Sequence, residues 1–337
     1  MSLALASTGL QQAAGAALPS PAVLRPWRGH GQPPAQALGV LHYPQDAGLA
    51  LLHGPAADAW CGPAPIQAQG QCGALHWRHN GHWLWGELTM AEHGDLAGCV
   101  QQAYADVFAT LRSTGFAHPQ RLWNYLPDIH GDDAGLERYR RFNAARQQAF
   151  LSASMPAFEG APAACCLGSP ADQPLRIRLL AGRHAPLPLE NPRQVSAYHY
   201  PSAYGPRSPT FSRAALLAAG EGQLLLLVSG TASIVGHESR HAGQLLAQLD
   251  ETLANLQAVI ASAHQRGSAR FALPQLALTA YVRHAGDAEP LRQALAQRLG
   301  ADSPALRQLV LLQAEVCRSD LLLEIEAHGR APGEVAT

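Results

Sequence analysis

Near the end of the 337-residue chain, one carboxyl group falls within a run of apolar residues, LLLEI at 321–325. Burial among aliphatic side chains disfavours the charged form of such a group and raises its pKa, so Glu324 is a candidate general acid. Glu326 shares the same strand face, because side chains repeat every two residues, and is the second candidate. From the residues alone, the ordinary alternative is an edge-strand carboxylate that faces water.

The basic residues restrict the chemistry further. All 24 of them are arginine, which excludes a Schiff-base lysine, a pyridoxal-phosphate attachment site and a P-loop that ends in Gly-Lys-Ser/Thr. Arginine can still bind planar carboxylates through two parallel hydrogen bonds. The net charge of -1 indicates neither a nucleic-acid surface nor a polybasic membrane patch.

Two features of the sequence argue against a membrane protein. No apolar stretch reaches the roughly 20 residues that a spanning helix needs. Residues 1–18 are rich in Ala and Gln and lack an early positive charge, so they do not resemble a signal peptide. We therefore expect a cytoplasmic protein with a frayed first stretch.

The six cysteines do not form a metal or redox motif. None belongs to a Cys-x-x-Cys pair, which argues against zinc-ribbon and thioredoxin interpretations. Reduced and mostly buried thiols are the ordinary expectation. The positions are Cys61, Cys72, Cys99, Cys165, Cys166 and Cys317.

One motif, HESRH at 237–241, fits the His-Glu-x-x-His pattern of zinc proteases. That chemistry needs both histidines on one face of an established helix. Gly236 and an apparent strand precede His237 directly, and no third-ligand pattern follows. We expect a helix start with Glu238 in its first turn, and no bound metal.

An internal repeat organises the chain. Residues 97–111 (AGCVQQAYADVFATL) and 242–256 (AGQLLAQLDETLANL) align without a gap and have helical periodicity. Strand-like runs at 121–129 and 276–283 follow these helices, and further helices are predicted at 136–150 and 289–299. The repeated order predicts two related α+β units, each a mixed sheet with helices on one face.

The Pro-rich stretch 184–192 (HAPLPLENP) is the best boundary between these units. We expect an N-terminal extension at 1–34, a first unit at 35–185 and a second unit at 186–330. Strands of the second unit are predicted at 194–200, 223–229, 276–283, 307–316 and 321–327.

The second unit resembles the RidA/YjgF fold, which is also the chorismate-mutase-like arrangement. The residues that carry this resemblance are LVSGTASI at 227–234, Gly236, LANLQAV at 253–259 and LEIEA at 323–327. The resemblance implies two RidA-like units that imitate part of the trimer of simple RidA proteins. A chain paired internally in this way has less need to oligomerise, so we expect a monomer or weak oligomer.

A further resemblance, to the chorismatase family, covers most of the chain. Its motifs occur in order as WN at 123–124, YRRFNAAR at 139–146, VSAYHYP at 195–201, YGP at 204–206, SGTASI at 229–234, YVR at 281–283 and CRSDLLLE at 317–324. Chorismatases remove pyruvate from chorismate to leave a hydroxylated benzoate or a dihydrodiol.

The chorismatase resemblance assigns roles to particular residues. It implies Glu324 as the acid that protonates the enolpyruvyl ether, and Arg146 and Arg283 as partners of the substrate carboxylates. Cys317 and Gly230 fall at positions where members that form 3-hydroxybenzoate carry these two residues. Tyr198 and Tyr200 alternate onto one face of the predicted strand and could supply hydroxyl groups, although cross-strand packing is equally open for them.

The activity expected from this resemblance is therefore a carbon–oxygen lyase that yields 3-hydroxybenzoate, with some 4-hydroxybenzoate as a possible second product. The displacement would use the ring hydroxyl and pass through an arene oxide. Such a reaction is redox-neutral and needs no organic cofactor. The alternatives are chorismate hydrolysis to a dihydrodiol, imine deamination of the RidA type, and a non-enzymatic small-molecule binding protein.

Overall fold

The computed structural model describes residues 23–62 and 64–336. The expected frayed stretch at 1–18 lies outside the described residues. The helices are α1 (Leu96–Thr114), α2 (Arg138–Ser152), α3 (Leu245–Arg266), α4 (Ala288–Leu299) and α5 (Pro304–Arg307). The strands are β1 (Arg25–Arg28), β2 (Ala37–His42), β3 (Ala50–His53), β4 (Ala57–Cys61), β5 (Ala68–Cys72), β6 (Leu75–His79), β7 (Trp83–Met90), β8 (His118–Pro127), β9 (Asp132–Asp133), β10 (Leu136–Glu137), β11 (Ala163–Ser169), β12 (Leu175–Gly182), β13 (Leu187–Leu189), β14 (Ala214–Gly220), β15 (Gln223–Thr231), β16 (Ile234–Val235), β17 (Glu238–Ser239), β18 (Ala277–Val282), β19 (Val310–Gln313) and β20 (Leu323–Pro332).

Two large mixed sheets have the same topology. The first has the strand order β11-β8-β12-β7-β6-β5, and the second has β19-β18-β20-β15-β14-β13 when it is read from β19. In each sheet the outer pair, β11 with β8 and β19 with β18, is parallel, and the following pairs are antiparallel. A helix follows the third and the fourth strand of each unit. The predicted fold class, two related α+β units in one chain, is confirmed.

The two sheets pack face to face, and the helices cover their outer faces. Residues of β8 alternate accordingly, with Trp123 and Tyr125 between the sheets and Leu122 and Leu126 under α1 and α2. On β15, Leu225 lies between the sheets and its neighbours pack under α3. The layers are therefore helix, sheet, sheet, helix, as the prediction of helices on one face of each sheet requires.

The predicted helices are confirmed; most of their ends shift by one to three residues, but α3 extends to Arg266, well beyond the predicted end at 256. The first begins behind Asp95, whose carboxylate accepts a hydrogen bond from the backbone N–H of Gly98, and it ends at Gly115 in the left-handed conformation. The second repeat begins later than predicted, because Gly243 has a positive φ of 73° and α3 starts only at Leu245. No helix of the described residues is long and apolar enough to cross a membrane.

Three local predictions are wrong. Residues 194–200 do not form a strand; a 3-10 turn occupies Ala197–His199, and the backbone N–H of Val195 bonds to the carbonyl of Gly236 instead of a sheet edge. The run at 307–316 is a strand only at Val310–Gln313, because α5 ends at Arg307. Glu238 does not begin a helix, since it pairs with Val235 in a two-residue hairpin.

The N-terminal segment ties the two units together. Strand β1 pairs with β4, and β3 joins the edge of the second sheet beside β19. Arg28 is buried between the units, where its guanidinium ion-pairs with Asp58 at 2.5 Å and donates to the carbonyl of Leu278 at 2.6 Å. A strand that precedes the first repeat thus completes the sheet of the second.

Candidate active site

Between the two sheets, at the edge where β11 approaches β15, lies a cavity of about 280 Å³. Both units contribute to its wall: α2, β8 and β11 from the first, and β15, β20 and the segments before β14 and β20 from the second. Its lining includes Asn124, Tyr139, Asn143, Arg146, Cys165, Cys166, Tyr200, Tyr204, Phe211, Arg213, Gly230, Cys317, Arg318 and Glu324. The cavity has the size and mixed apolar and cationic lining of a small-molecule site.

Glu324 lies at the inner end of this cavity. Leu323 and Ile325 turn into the core under α3, so Glu324 and Glu326 face the space between the sheets. Only 4% of Glu324 is exposed, and its Oε1 has no hydrogen-bond partner among the described residues. Burial, and then the neighbouring Glu326, raise the pKa of Glu324 to about 8, against a smaller lowering by Arg121. The side chain is therefore a protonated acid at neutral pH.

Gly230 makes room for that acid. It lies in a bulge of β15, where the register with β20 shifts between Val228 and Thr231. A Cβ atom at Gly230 would fall 1.9 Å from Oε1 of Glu324, which no side chain could occupy without displacing the carboxyl group. The glycine predicted from the sequence thus touches the predicted acid directly.

Glu326, the second candidate acid, is held differently. Its Oε1 accepts a hydrogen bond from the Tyr281 hydroxyl at 2.8 Å, and its Oε2 accepts one from Nε1 of Trp123 at 3.1 Å. Arg121 forms an ion pair with Oε2 at 2.8 Å. Both oxygens of Glu326 thus have donors, whereas Oε1 of Glu324 has none among the described residues.

Arg146 points from α2 into the cavity. Its Nε donates to the Tyr104 hydroxyl at 2.6 Å, and Nη1 donates to the carbonyl of Thr210. The guanidinium also lies over the rings of Tyr104 and Phe150, at 5.1 and 4.8 Å. Its buried Nη2 has no partner in the described part of the chain, so one N–H face is available to an anionic ligand.

The cavity is also lined by Arg140, Arg213 and Arg318, which were not among the site residues predicted from the sequence. Arg213 donates from Nη2 to the Tyr200 hydroxyl at 2.9 Å, and Arg318 lies 4.2 Å from the ring centre of Tyr204. Within residues 23–62 and 64–336, Nε of Arg213 and Nη2 of Arg318 are buried without hydrogen-bond partners. Arg318 directly follows Cys317 in a motif already singled out, so a signal for it was present, whereas Arg213 had none.

The predicted second carboxylate partner, Arg283, is not in the cavity lining. Its Nε donates to the carbonyl of Leu321 at 3.0 Å, its Nη2 donates to the carbonyl of Arg318 at 2.8 Å, and Nη1 ion-pairs with Glu315. These contacts fix the loop that carries Cys317 and Arg318. Arg283 therefore supports the site from outside the cavity lining.

Tyr198 and Tyr200 do not share one face as predicted, because residues 194–200 do not form a strand. Tyr200 lines the cavity and accepts the hydrogen bond from Arg213. Tyr198 lies outside the cavity lining and packs edge-on against His199, with the ring centres 4.7 Å apart. Tyr200 therefore remains a candidate contact, and Tyr198 takes the packing alternative.

Cys317 lies beside the acid. Burial raises the pKa of its thiol to about 12, and Glu324 adds to that rise, so the group is a neutral thiol. A hydrogen bond between Cys317 and Glu324 partly offsets the raised pKa of the acid. Cys165 and Cys166 also line the cavity with thiol pKa values well above their usual range because of burial. All six cysteines are free.

The HESRH motif does not form a zinc-protease site. His237 bonds to the Tyr204 hydroxyl at 3.2 Å, while His241 has a positive φ of 58° and lies 3.5 Å from Glu251. The motif is a hairpin, so the two histidines do not stack on a helix face as that chemistry requires. The described part of the chain contains no group of three or more His, Cys, Asp or Glu residues placed to hold a metal ion.

The raised pKa of Glu324 has a consequence for stability. Between about pH 4.5 and 8 the unfolded chain ionises this carboxyl while the folded chain keeps its proton, so stability falls as pH rises through that window. Glu324→Gln is therefore expected to have a free energy of unfolding higher than that of the parent at pH 8, by on the order of a few kcal/mol, and equal to it near pH 4. Calorimetry at the two pH values measures this. An equal difference at both pH values would contradict it.

The fold and the cavity together define a class: a two-unit α+β protein with a protonated buried acid and several arginines around a cavity of small-molecule size. A family model described as "Chorismatase FkbO/Hyg5-like, N-terminal" matches residues 58–181. A 3-hydroxybenzoate synthase of Streptomyces hygroscopicus is 36% identical over 282 residues, which cover 81% of each chain. A chorismatase of Streptomyces rapamycinicus is 33% identical over 283 residues, covering 80% of this chain and 81% of the relative.

A solved structure agrees with these relatives. A crystal structure of a chorismatase matches with a TM-score of 0.76 and 28% identity, covering 92% of this chain and 99% of that chain. The chain belongs to the chorismatase family.

Proposed function

We propose that this chain converts chorismate to 3-hydroxybenzoate and pyruvate. The observation that carries the proposal is the environment of Glu324, a buried acid with a pKa of about 8 at the end of a cavity that holds three partly unpaired arginines. Chorismate carries two carboxylates and an enol ether, so it needs cationic partners and a proton donor. The relative named 3-hydroxybenzoate synthase supports the same product.

Glu324 is the proposed general acid. Its proton passes to the terminal methylene carbon of the enolpyruvyl group, and positive charge develops at the adjacent ether carbon. The bond between the ether oxygen and the ring carbon then breaks, and its electron pair stays with the oxygen as the carbonyl of pyruvate. Atoms balance, because chorismate is divided into the two products without an added water or electron carrier.

The neighbouring ring hydroxyl is the proposed nucleophile. Its oxygen bonds to the ring carbon that loses pyruvate, and its proton returns to the Glu324 carboxylate. The resulting arene oxide opens; the ring carbon that keeps the oxygen loses its proton, the oxygen gains one, and the product is 3-hydroxybenzoate. Holding this internal nucleophile in line is worth several kcal/mol, enough to compete with a loosely placed water.

The three arginines are proposed to bind the two carboxylates from opposite walls. Arg146 comes from the first unit, while Arg213 and Arg318 come from the second. Each has a buried N–H group without a partner among the described residues, and a carboxylate would supply the missing acceptor. Clamping both ends of the substrate fixes the enol ether relative to Glu324.

Product analysis tests the proposed function. Purified protein is incubated with chorismate, the aromatic products are separated by chromatography, and pyruvate is assayed against a protein-free blank that corrects for spontaneous decay. We expect equimolar pyruvate and 3-hydroxybenzoate. Pyruvate with chiefly dihydrodiol would overturn the product but keep the family activity, whereas an absence of pyruvate with ammonia release from an imine would favour the RidA-type alternative.

Gly230 and Cys317 are proposed to control the partition between phenol and dihydrodiol. In Gly230→Ala the new Cβ displaces the Glu324 carboxyl, and in Cys317→Ala the thiol that bonds to it is lost. Both changes are expected to lower the ratio of 3-hydroxybenzoate to dihydrodiol, measured by chromatography. Gly286→Ala is the matched control, since a Cβ there meets no atom within 4 Å. Unchanged ratios in both variants would remove these residues from that role.

The organisation of the chain is part of the proposal. We place the unit boundary in the segment at 184–192, between the end of β12 at Gly182 and the start of β13 at Leu187, with units at 35–185 and 186–330 after an N-terminal segment at 1–34. The cavity is built within one chain, which supports a monomer or weak oligomer as the working form. Six free thiols are consistent with the proposed cytoplasmic location.

A further inference from the structure

Glu324 and Glu326 share one face of β20, between the two sheets, yet they have opposite hydrogen-bond environments. We propose that Glu326 is a positioning residue that remains ionised throughout the reaction and keeps the single proton of the pair on Glu324. The activity readout of this proposal rests on the proposed function. The protonation of Glu324 itself does not, and it can be measured without substrate.

The donors around Glu326 fix its charge. Tyr281 binds Oε1 at 2.8 Å, Trp123 binds Oε2 at 3.1 Å, and Arg121 ion-pairs with Oε2 at 2.8 Å. Arg121 itself is 2% exposed, and its guanidinium lies 5.4 Å from the ring centre of Trp123. Proton transfer to Glu326 would leave this buried guanidinium without a counter-charge, which is strongly unfavourable.

Glu324 has no comparable set of donors. Its Oε1 is unpaired among the residues that the structure describes, and Cys317 supplies its side-chain hydrogen bond. Residues two apart on a strand are separated by about 7 Å along its axis. Two carboxyl groups at this short spacing in a buried space do not both ionise readily. The group with more hydrogen-bond donors takes the negative charge, and the other keeps the proton.

Other groups near the pair do not supply this effect. Tyr139, Cys165, Cys166 and Cys317 have pKa values raised by burial and are neutral, as are Tyr125 and Tyr281 near Glu326. His328, deeper between the sheets beside Asp58 and Arg28, is also neutral, because burial lowers its pKa to about 4. The charged residues on the cavity side are Glu137, Arg140, Arg146, Arg213, Arg318 and the exposed Asp320. Glu326 is thus the buried anion next to Glu324, and Arg121 acts on the acid in the opposite direction.

The arrangement also explains how the acid is restored. Once Glu324 has given its proton to the substrate, two buried carboxylates lie side by side on one face of β20. The fixed charge of Glu326 makes the Glu324 carboxylate more basic, which favours return of the proton from the ring hydroxyl. Glu326 would act in both half-steps without contacting the substrate.

The test is the pH profile of kcat/KM for Glu326→Gln, which reports groups of the free enzyme. The amide oxygen can accept the hydrogen bond from Trp123 and the amide NH2 can donate to the Tyr281 hydroxyl, so the side chain keeps partners but carries no charge. We expect the alkaline fall in activity to move at least about one pH unit lower, so that activity at pH 8 drops at least roughly fivefold while it persists on the acid side. A merely structural role would reduce activity evenly across pH.

Glu87→Gln is the matched control. Glu87 also accepts from a tryptophan, Nε1 of Trp85 at 2.7 Å, and pairs with an arginine, Arg78, at 3.3 Å, but it lies outside the cavity lining. Its pH profile is expected to overlay that of the parent. If Glu326→Gln does not fold, the double variant Arg121→Met/Glu326→Gln removes both charges of the ion pair. Its alkaline limb is expected to move to lower pH by less than that of Glu326→Gln, because the loss of Arg121 acts in the opposite direction.

Infrared titration of the Glu324 carboxyl, identified as the band absent from Glu324→Gln, gives a second readout without substrate. The midpoint of this band is expected to fall in Glu326→Gln by the same amount as the kinetic limb. Failure of the parent to act on chorismate would overturn the proposed function and leave this titration valid. An unmoved infrared midpoint in Glu326→Gln would overturn the role of Glu326.

Discussion

Glu324→Gln is expected to lower the turnover of chorismate by at least about 100-fold, the range for removal of a general acid. The amide has almost the same shape as the protonated acid, so it fits the space beside Gly230, but it has no proton to give to the methylene carbon. Chorismate binding should be retained, since the arginines of the cavity are unchanged. Single-turnover kinetics and calorimetric titration separate these two effects.

A control variant and two contrary results complete the test of Glu324→Gln. Glu87→Gln, at a glutamate outside the cavity, should turn over at the parental rate and excludes a general effect of the substitution. Near-normal turnover by Glu324→Gln would remove Glu324 from the acid role and return it to Glu326. Loss of binding together with turnover would instead point to a change in the shape of the cavity.

Arg146→Gln is expected to reduce kcat/KM roughly 10- to 100-fold, chiefly through a higher KM, because a charged hydrogen bond to a substrate carboxylate is lost. The remaining contacts of Arg146, with Tyr104 and the carbonyl of Thr210, lie inside the protein, so some of the loss will come from rearrangement. Steady-state kinetics with chorismate measures the split between KM and kcat.

Arg141→Gln provides the comparison on the same helix. Arg141 pairs with Asp133 at 2.6 Å and lies outside the cavity lining, so its removal should leave KM unchanged. Arg146→Lys is expected to recover part of the lost affinity, since it restores charge without the planar pair of donors. An unaltered KM in Arg146→Gln would leave Arg213 and Arg318 as the carboxylate partners.

Features encoded locally in the sequence could be predicted well. The helices α1 and α3 follow from their apolar spacing, and burial of Glu324 follows from the aliphatic residues on either side of it. The repeat was visible because the two segments open with the same Ala-Gly pair and align without a gap, although this pair lies inside α1 and before the start of α3. These properties depend on neighbours within one turn or one strand.

Properties that depend on contacts between distant segments could not be predicted in the same way. Residues 194–200 alternate like a strand, but Pro192 and Pro201 flank them and Val195 bonds to Gly236 rather than to a sheet edge. Arg283 faces away from the cavity because the carbonyls of a later loop surround it. Arg213 reaches the cavity only because β14 packs beside β11, a pairing between units that no local pattern encodes.

Duplication inside a single polypeptide frees this protein from a constraint of homo-oligomers. Where identical subunits meet, every substitution appears in every copy, and a cleft between them repeats its side chains by symmetry. The two units carry different residues at one corresponding position of their sheets. Glu324 pairs with Tyr281 in the second sheet, and its counterpart Arg176 pairs with Tyr125 in the first. One half could therefore acquire a carboxylic acid where the other acquired an arginine, and a single cleft could be shaped to a molecule whose two ends differ.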